Sequence, residues 1–227
     1  MVELSDDPPI ENWVDICFWF LYFRYSINRF AKGCYKLGGK MVPLMSLWLP
    51  ILLSAVFVFV VSSVIHMVLP YHRTDFGKLP DEDGVMAALR KFNIPPGDYL
   101  IPCAGSPKAM QTPEFIEKMT KGPVAFVTIM KSGAPSMTGS LIQWFIYSIV
   151  VSILAGYVAA HTLGPDAPYL GAFRIVGGTA FAGYSLGLLQ NSIWYKRNWS
   201  ATFKSVFDGL VYALVTAGTF GWLWPSA

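Results

Sequence analysis

Long apolar runs separated by polar stretches dominate this chain. Four of them, at 44–69, 141–163, 170–194 and 206–224, are long enough to cross a bilayer, whose ~30 Å hydrocarbon core takes about 20 helical residues. Lipid offers no partner to a backbone N–H or C=O, so each run is predicted to be a helix that satisfies its own backbone. Trp48, Trp144, Trp194, Trp222 and Trp224 fall near the ends of the runs, where amphipathic rings favour the membrane–water interface. A fifth apolar stretch, 12–31 in the N-terminal tail 1–40, has a different pattern. Trp13, Ile16, Phe20, Phe23, Ile27 and Phe30 recur at spacings of three and four, and Arg24 and Arg29 interrupt them. That pattern fits an amphipathic helix lying in the interface, or one docked on a partner subunit.

Residues 71–138, between the first and second runs, hold much of the charge and form a predicted extramembrane insertion. Pro80-Asp81 opens a helix with Val85, Met86, Leu89 and Phe92 on one face, and Pro95-Pro96-Gly97-Asp98 is a turn by its residue types. Thr112-Pro113 is an N-cap and first-turn pair that predicts a second helix over 112–119. Residues 99–101 and 124–130 are rich in strand formers. The expected fold is therefore an all-α membrane bundle of four transmembrane helices, with an N-terminal interfacial helix and a small α+β insertion. About 68 residues make a thin core, so the insertion is expected to lean on the membrane helices or on a partner.

Small residues at spacings of four let membrane helices approach closely. The second run carries Ser148, Ser152, Gly156 and Ala160. The third carries Thr179, Gly183, Gly187 and Asn191, and the fourth Gly209, Ala213, Ala217 and Gly221. These ridges predict a tight bundle and offer surfaces to other membrane subunits.

Composition narrows the function classes. Of 227 residues, 54% are hydrophobic and only 14% charged, against about a quarter charged in soluble domains. A net charge of +3, with no basic cluster interleaved with aromatics, gives no reason to expect nucleic acid. Cys17, Cys34 and Cys103 lie too far apart for a zinc or haem-attachment motif. Glu3, Asp6 and Asp7 stand where a secretory signal would be basic, so an internal span is expected to drive insertion. Arg24, Arg29, Lys32, Lys36 and Lys40 precede the first span, which by the positive-inside rule puts the N-terminus in the cytoplasm. Lys196, Arg197 and Lys204 oppose that assignment.

Polar side chains at membrane depth are costly and mark candidate sites. His66 ends the first span, Gln143 opens the second, Gln190 and Asn191 close the third, and Asp208 opens the fourth. Alternating chain direction brings these five to one face, the face carrying the insertion, with His72 just beyond. The functional reading is a pocket binding a quinone headgroup or a metal, the metal held by His66, His72 and Asp208, since neutral imidazole and carboxylate are good ligands. The plainer reading is that the groups satisfy helix ends and one another, with Lys204 pairing Asp208 four residues on. His66 and His72 are six apart across Pro70, which is not helical ligand spacing. His66 and His161 lie about 20 Å apart by helix rise and cannot share a haem iron. No GxSxG, HExxH, P-loop or GxGxxG motif occurs, so no catalytic residue is predicted.

The runs Leu47-Trp48-Leu49-Pro50-Ile51 and Ile65-His66-Met67-Val68-Leu69-Pro70 with His72, the turn Pro96-Gly97-Asp98-Tyr99, and the stretch from Phe207-Asp208-Gly209 to Gly221-Trp222-Leu223-Trp224-Pro225 resemble an uncharacterised family of small bacterial integral membrane proteins. The resemblance covers about 44–225 and leaves out the N-terminal 40 residues. It implies a bacterial cell (inner) membrane and brings no activity with it. The function expected from all of this is a non-catalytic structural or assembly subunit of a larger membrane complex. A small-solute transporter or channel component is the first alternative, although no inverted repeat occurs and no span is expected to break at its midplane. A quinone- or metal-binding redox-associated protein is the second.

Overall fold

The computed structural model describes residues 41–226; the predicted helix at 12–31 lies outside them. Among the described residues, three helical stretches are long and apolar enough to cross a membrane: Leu44–Met67, Thr138–Thr162 and Tyr169–Ile193. The first is a 3-10 turn followed by helix α1, Trp48–Met67. The second is α4, Thr138–Thr162. The third comprises α5, Tyr169–Ser185, a 3-10 turn at Leu186–Leu188, and the short α6, Leu189–Ile193. A further long helix, α7, covers Trp199–Trp222. It has the length of a span, but Lys204 and Asp208 interrupt its apolar run.

The helices α1, α4, α5 and α7 form a closed circuit in which α1 packs on α4 and α7, and α5 packs on α4 and α7. Small side chains permit this. Ser148, Ser152, Gly156 and Ala160 of α4 and Gly209, Ala213 and Ala217 of α7 are all buried. A Cβ on Gly156 would lie 3.1 Å from the Phe220 ring, and one on Gly177 would lie 3.1 Å from Ala217. Ser54 and Ser152 hydrogen-bond across α1 and α4 at 3.0 Å, and the Trp144 indole donates to Ser62 at 2.8 Å.

On α5 the buried ridge is Ala172, Val176, Ala180 and Tyr184. The expected ridge of Thr179, Gly183, Gly187 and Asn191 is only partly enclosed, and Gly187 is exposed. Ala172, Val176 and Ala180, at spacings of four, form the buried ridge in its place, and the 3-10 turn at 186–188 shifts the helical phase of Gly187 and Asn191. The third stretch changes pitch at the same place, nearer the insertion end than the middle, so the expectation concerning the midplane is not contradicted. The Tyr147 hydroxyl donates to the Gly183 carbonyl at 2.6 Å and Ser185 Oγ to the Val206 carbonyl at 3.2 Å. The Tyr147 side chain thus enters the backbone ladder of α5 where it changes pitch, a common cause of helix irregularity.

The insertion holds α2 (Glu82–Arg90), β1 (Gly97–Ile101), α3 (Pro113–Lys121) and β2 (Ala125–Ile129). Asp81 caps α2 by accepting from the Gly84 N–H at 3.0 Å, and Thr112 caps α3 by accepting from the Phe115 N–H at 3.3 Å. The strands are antiparallel, with Leu100 opposite Phe126 and Asp98 opposite Thr128. No residue of these four elements is buried. Apart from the turn that begins the insertion, its contact with the bundle is slight.

A histidine–aspartate cluster at the end of the first span

Helix α1 ends where Leu69 turns extended before Pro70, and a 3-10 turn, Pro70–Thr74, follows with proline in its first position. Proline's fixed φ suits that position and its missing N–H costs nothing there. The turn doubles the chain back, so the His72 ring stands 4.6 Å from the His66 ring, centroid to centroid. Two histidines six positions apart, which a continuous helix would set on different faces, are brought together by the break.

Helix α7 supplies the other half. Asp208 is 2% exposed, and both of its carboxylate oxygens are used. The Tyr71 hydroxyl donates to Oδ1, and His72 Nε2 lies 2.8 Å from Oδ2. The other ring nitrogen of His72, Nδ1, lies 2.6 Å from Asp75 Oδ2. One turn before Asp208, Lys204 donates to Asp75 Oδ1 at 2.9 Å, to the Tyr71 carbonyl at 2.6 Å and to Thr74 Oγ1 at 2.8 Å. An ammonium has three N–H donors, so Lys204 is fully engaged in fastening the 70–75 turn to α7. His66 Nε2 lies 3.5 Å from the Tyr212 hydroxyl, a long contact.

Burial and hydrogen bonding set the ionisation of the turn. Burial, reinforced by the hydrogen bond to Asp208, raises the Tyr71 hydroxyl above its ordinary range. Burial pushes the Asp75 carboxyl up, but the hydrogen bonds from His72 and Lys204 outweigh it and leave Asp75 below the usual carboxylate value. Asp75 therefore holds its charge opposite His72 Nδ1. Two carboxylates facing the two nitrogens of one imidazole suit either an imidazolium donating from both nitrogens or a cation placed between Nε2 and Asp208.

His66, His72 and Asp208 each offer one ligand atom, and these atoms lie within 4.8 Å of one another. Gln143 and Gln190 are exposed and Asn191 is half-buried. Among the described residues none of the three hydrogen-bonds to the cluster, and the Asn191 carbonyl accepts from the Arg197 N–H at 3.1 Å. Lys204 reaches Asp75 and not Asp208, which corrects the pairing expected from their spacing. The Tyr99 hydroxyl donates to the Pro95 carbonyl within the insertion at 2.9 Å. Tyr71, Asp75, Lys204 and Tyr212 were not anticipated as site residues. The only signal for Tyr71 and Asp75 was their place beside His72 in a proline-initiated turn. His161 is exposed and bonds to the Tyr157 carbonyl of its own helix. Comparison with known proteins found no matching family model, no matching curated protein and no matching solved structure.

Proposed function

We propose that this chain is a four-span membrane protein that binds a divalent transition-metal ion through His66, His72 and Asp208. The observation that carries the reading is the convergence of the three ligand atoms within 4.8 Å, with Asp75 already on the far nitrogen of His72. A carboxylate on the second nitrogen of a ligating imidazole orients the ring and raises its basicity, and such partners accompany most histidine metal sites. Two imidazoles and one carboxylate suit zinc, ferrous iron, copper or nickel better than magnesium or calcium. Donors around a tetrahedral zinc ion are about 3.3 Å apart, given bond lengths near 2.0 Å, so His66 must swing toward His72 on binding. Three protein donors are the number used by sites that keep an exchangeable ligand.

Metal titration of the detergent-purified protein tests the reading. The expected result is one Co(II) or Zn(II) bound per chain. His72→Ala and Asp208→Ala lose it, Asp75→Asn weakens it by about 10–100-fold, and Cys103→Ser leaves it unchanged. Failure to bind an ion, or binding indifferent to His72→Ala and Asp208→Ala, overturns it.

The fourth crossing is supported by the length of α7 and its close packing along α5 and α1. The basic residues before the first span support a cytoplasmic N-terminus in a bacterial inner membrane, with the insertion outside. Labelling of Cys103 in intact cells tests that orientation, and reaction only after permeabilisation reverses it. A second reading, an accessory subunit of a larger membrane complex, is favoured by α2 and the turn after it, where Val85, Met86, Leu89 and Phe92 are all exposed. Copurification of a stoichiometric partner in mild detergent, lost on Leu89→Asp, tests it; a lone chain under those conditions refutes it.

A further inference from the structure

The two-stranded sheet has one covered face and one open face. Tyr99, Ala125, Val127 and Ile129 are half-buried on the first, while Asp98, Leu100, Phe126 and Thr128 are exposed on the second. The open face is divided along its length. At one end Thr128 donates to Asp98 at 2.6 Å, and at the other Leu100 stands opposite Phe126. A polar pair and an apolar pair thus share one exposed surface.

The apolar end is located by an aromatic contact with the bundle. The Phe126 ring meets Tyr195 edge-on, with centroids 5.7 Å apart. Tyr195 comes two residues after α6 ends at Ile193, in the run Trp194-Tyr195-Lys196-Arg197 that closes the Tyr169–Ile193 stretch. Aromatic rings followed by basic residues at the end of an apolar span are what the headgroup layer selects. Trp194 is 70% exposed and Tyr195 60%. Phe126, 49% exposed, continues that belt from a different part of the chain. The connection from β2 to α4 limits its distance, because the nine Cα–Cα steps from Ile129 to Thr138 span at most about 30 Å.

From this continuity we infer that the open face of the sheet is a membrane-surface anchor, with Leu100 and Phe126 seated beside Trp194 and Tyr195 in the phospholipid headgroup layer. Lys196 and Arg197 beside them favour anionic headgroups. The occupant is lipid rather than a second copy, because the face runs into residues that already mark the water boundary of a span. Anchoring holds the insertion down on the boundary from which the 70–75 turn also rises. The inference does not depend on metal binding.

Site-directed spin labelling tests it. A nitroxide is placed at Phe126→Cys or at Leu100→Cys in protein whose native cysteines are serines, reconstituted in vesicles of phosphatidylethanolamine and phosphatidylglycerol. Glu117→Cys, on the exposed side of α3, serves as the water reference. Helical content by circular dichroism checks that each labelled protein is folded, and the second position keeps the test available if one variant is not. The expected result is a ratio of oxygen to polar nickel-chelate accessibility several-fold higher at 126 and 100 than at 117. Equal ratios at the three positions overturn the anchor. Labels at 126 and 100 shielded from both reagents also overturn it, since protein rather than lipid then covers the face.

Discussion

Gly209 is the residue whose substitution links packing to the site most directly. A methyl group there would overlap the Ser185 hydroxyl and lie 3.2 Å from both the backbone carbonyl carbon and the Cβ of Tyr184. The hydroxyl can rotate only by giving up its bond to the Val206 carbonyl, and the Tyr184 backbone cannot move without α5. The two helices must therefore separate by a few tenths of an ångström. Overpacking of that kind costs about 1–3 kcal/mol. Asp208, the adjacent residue, is carried along with α7, while His72 and Tyr71 stay with the turn after α1. Gly209→Ala is expected to lower stability in sodium dodecyl sulfate titration by that amount and to weaken Co(II) binding by up to about tenfold, the equivalent of 1.4 kcal/mol. Gly178→Ala, where an added Cβ meets nothing within 4 Å, serves as the control and is expected to leave both unchanged. Two variants with indistinguishable stability and affinity would refute the reasoning.

Other substitutions separate the contributions. Lys204→Met removes three hydrogen bonds from the 70–75 turn; its side chain is 23% exposed, so the cost falls in the lower part of about 1–3 kcal/mol. It should appear as faster hydrogen exchange at the Asp75 amide. Ser152→Ala leaves Ser54 bonded to the Ile51 carbonyl at 3.1 Å, and its cost in detergent unfolding is expected to stay below about 1 kcal/mol. Gln143→Ala and Gln190→Ala, both at exposed positions, should leave metal affinity unchanged; a tenfold loss by isothermal titration would return them to the site.

Much of the architecture was legible because hydropathy and capping are local. Thr112-Pro113 marks the start of α3, and the apolar runs mark α1, α4 and the stretch from α5 through α6 to within a few residues. The start of α7 was less legible. The polar turn containing Lys204 lowers hydropathy, yet the helix begins at Trp199 because Asn198 caps it by accepting from the Ser200 N–H at 2.9 Å. The break at 186–188 depends on Tyr147 and Val206, which are distant in sequence, and no local rule reports it. At the site, alternating chain direction gave the depth of His66 and Asp208 but not the rotation of their helices. Depth alone therefore gathered Gln143, Gln190 and Asn191 with them. His72 needed a further step, since spacing along a helix carries no information once Pro70 has turned the chain back.

In the proposed function, two histidines and one aspartate hold an ion at the boundary of the membrane. X-ray absorption at the zinc edge of the zinc-loaded protein tests it most directly. The account predicts nitrogen and oxygen scatterers at about 2.0–2.2 Å with the outer-shell signature of two imidazoles and no sulfur. It also predicts that His72→Ala abolishes this shell. A shell with no imidazole signature, a sulfur scatterer from Cys103, or a spectrum that His72→Ala leaves intact would contradict it.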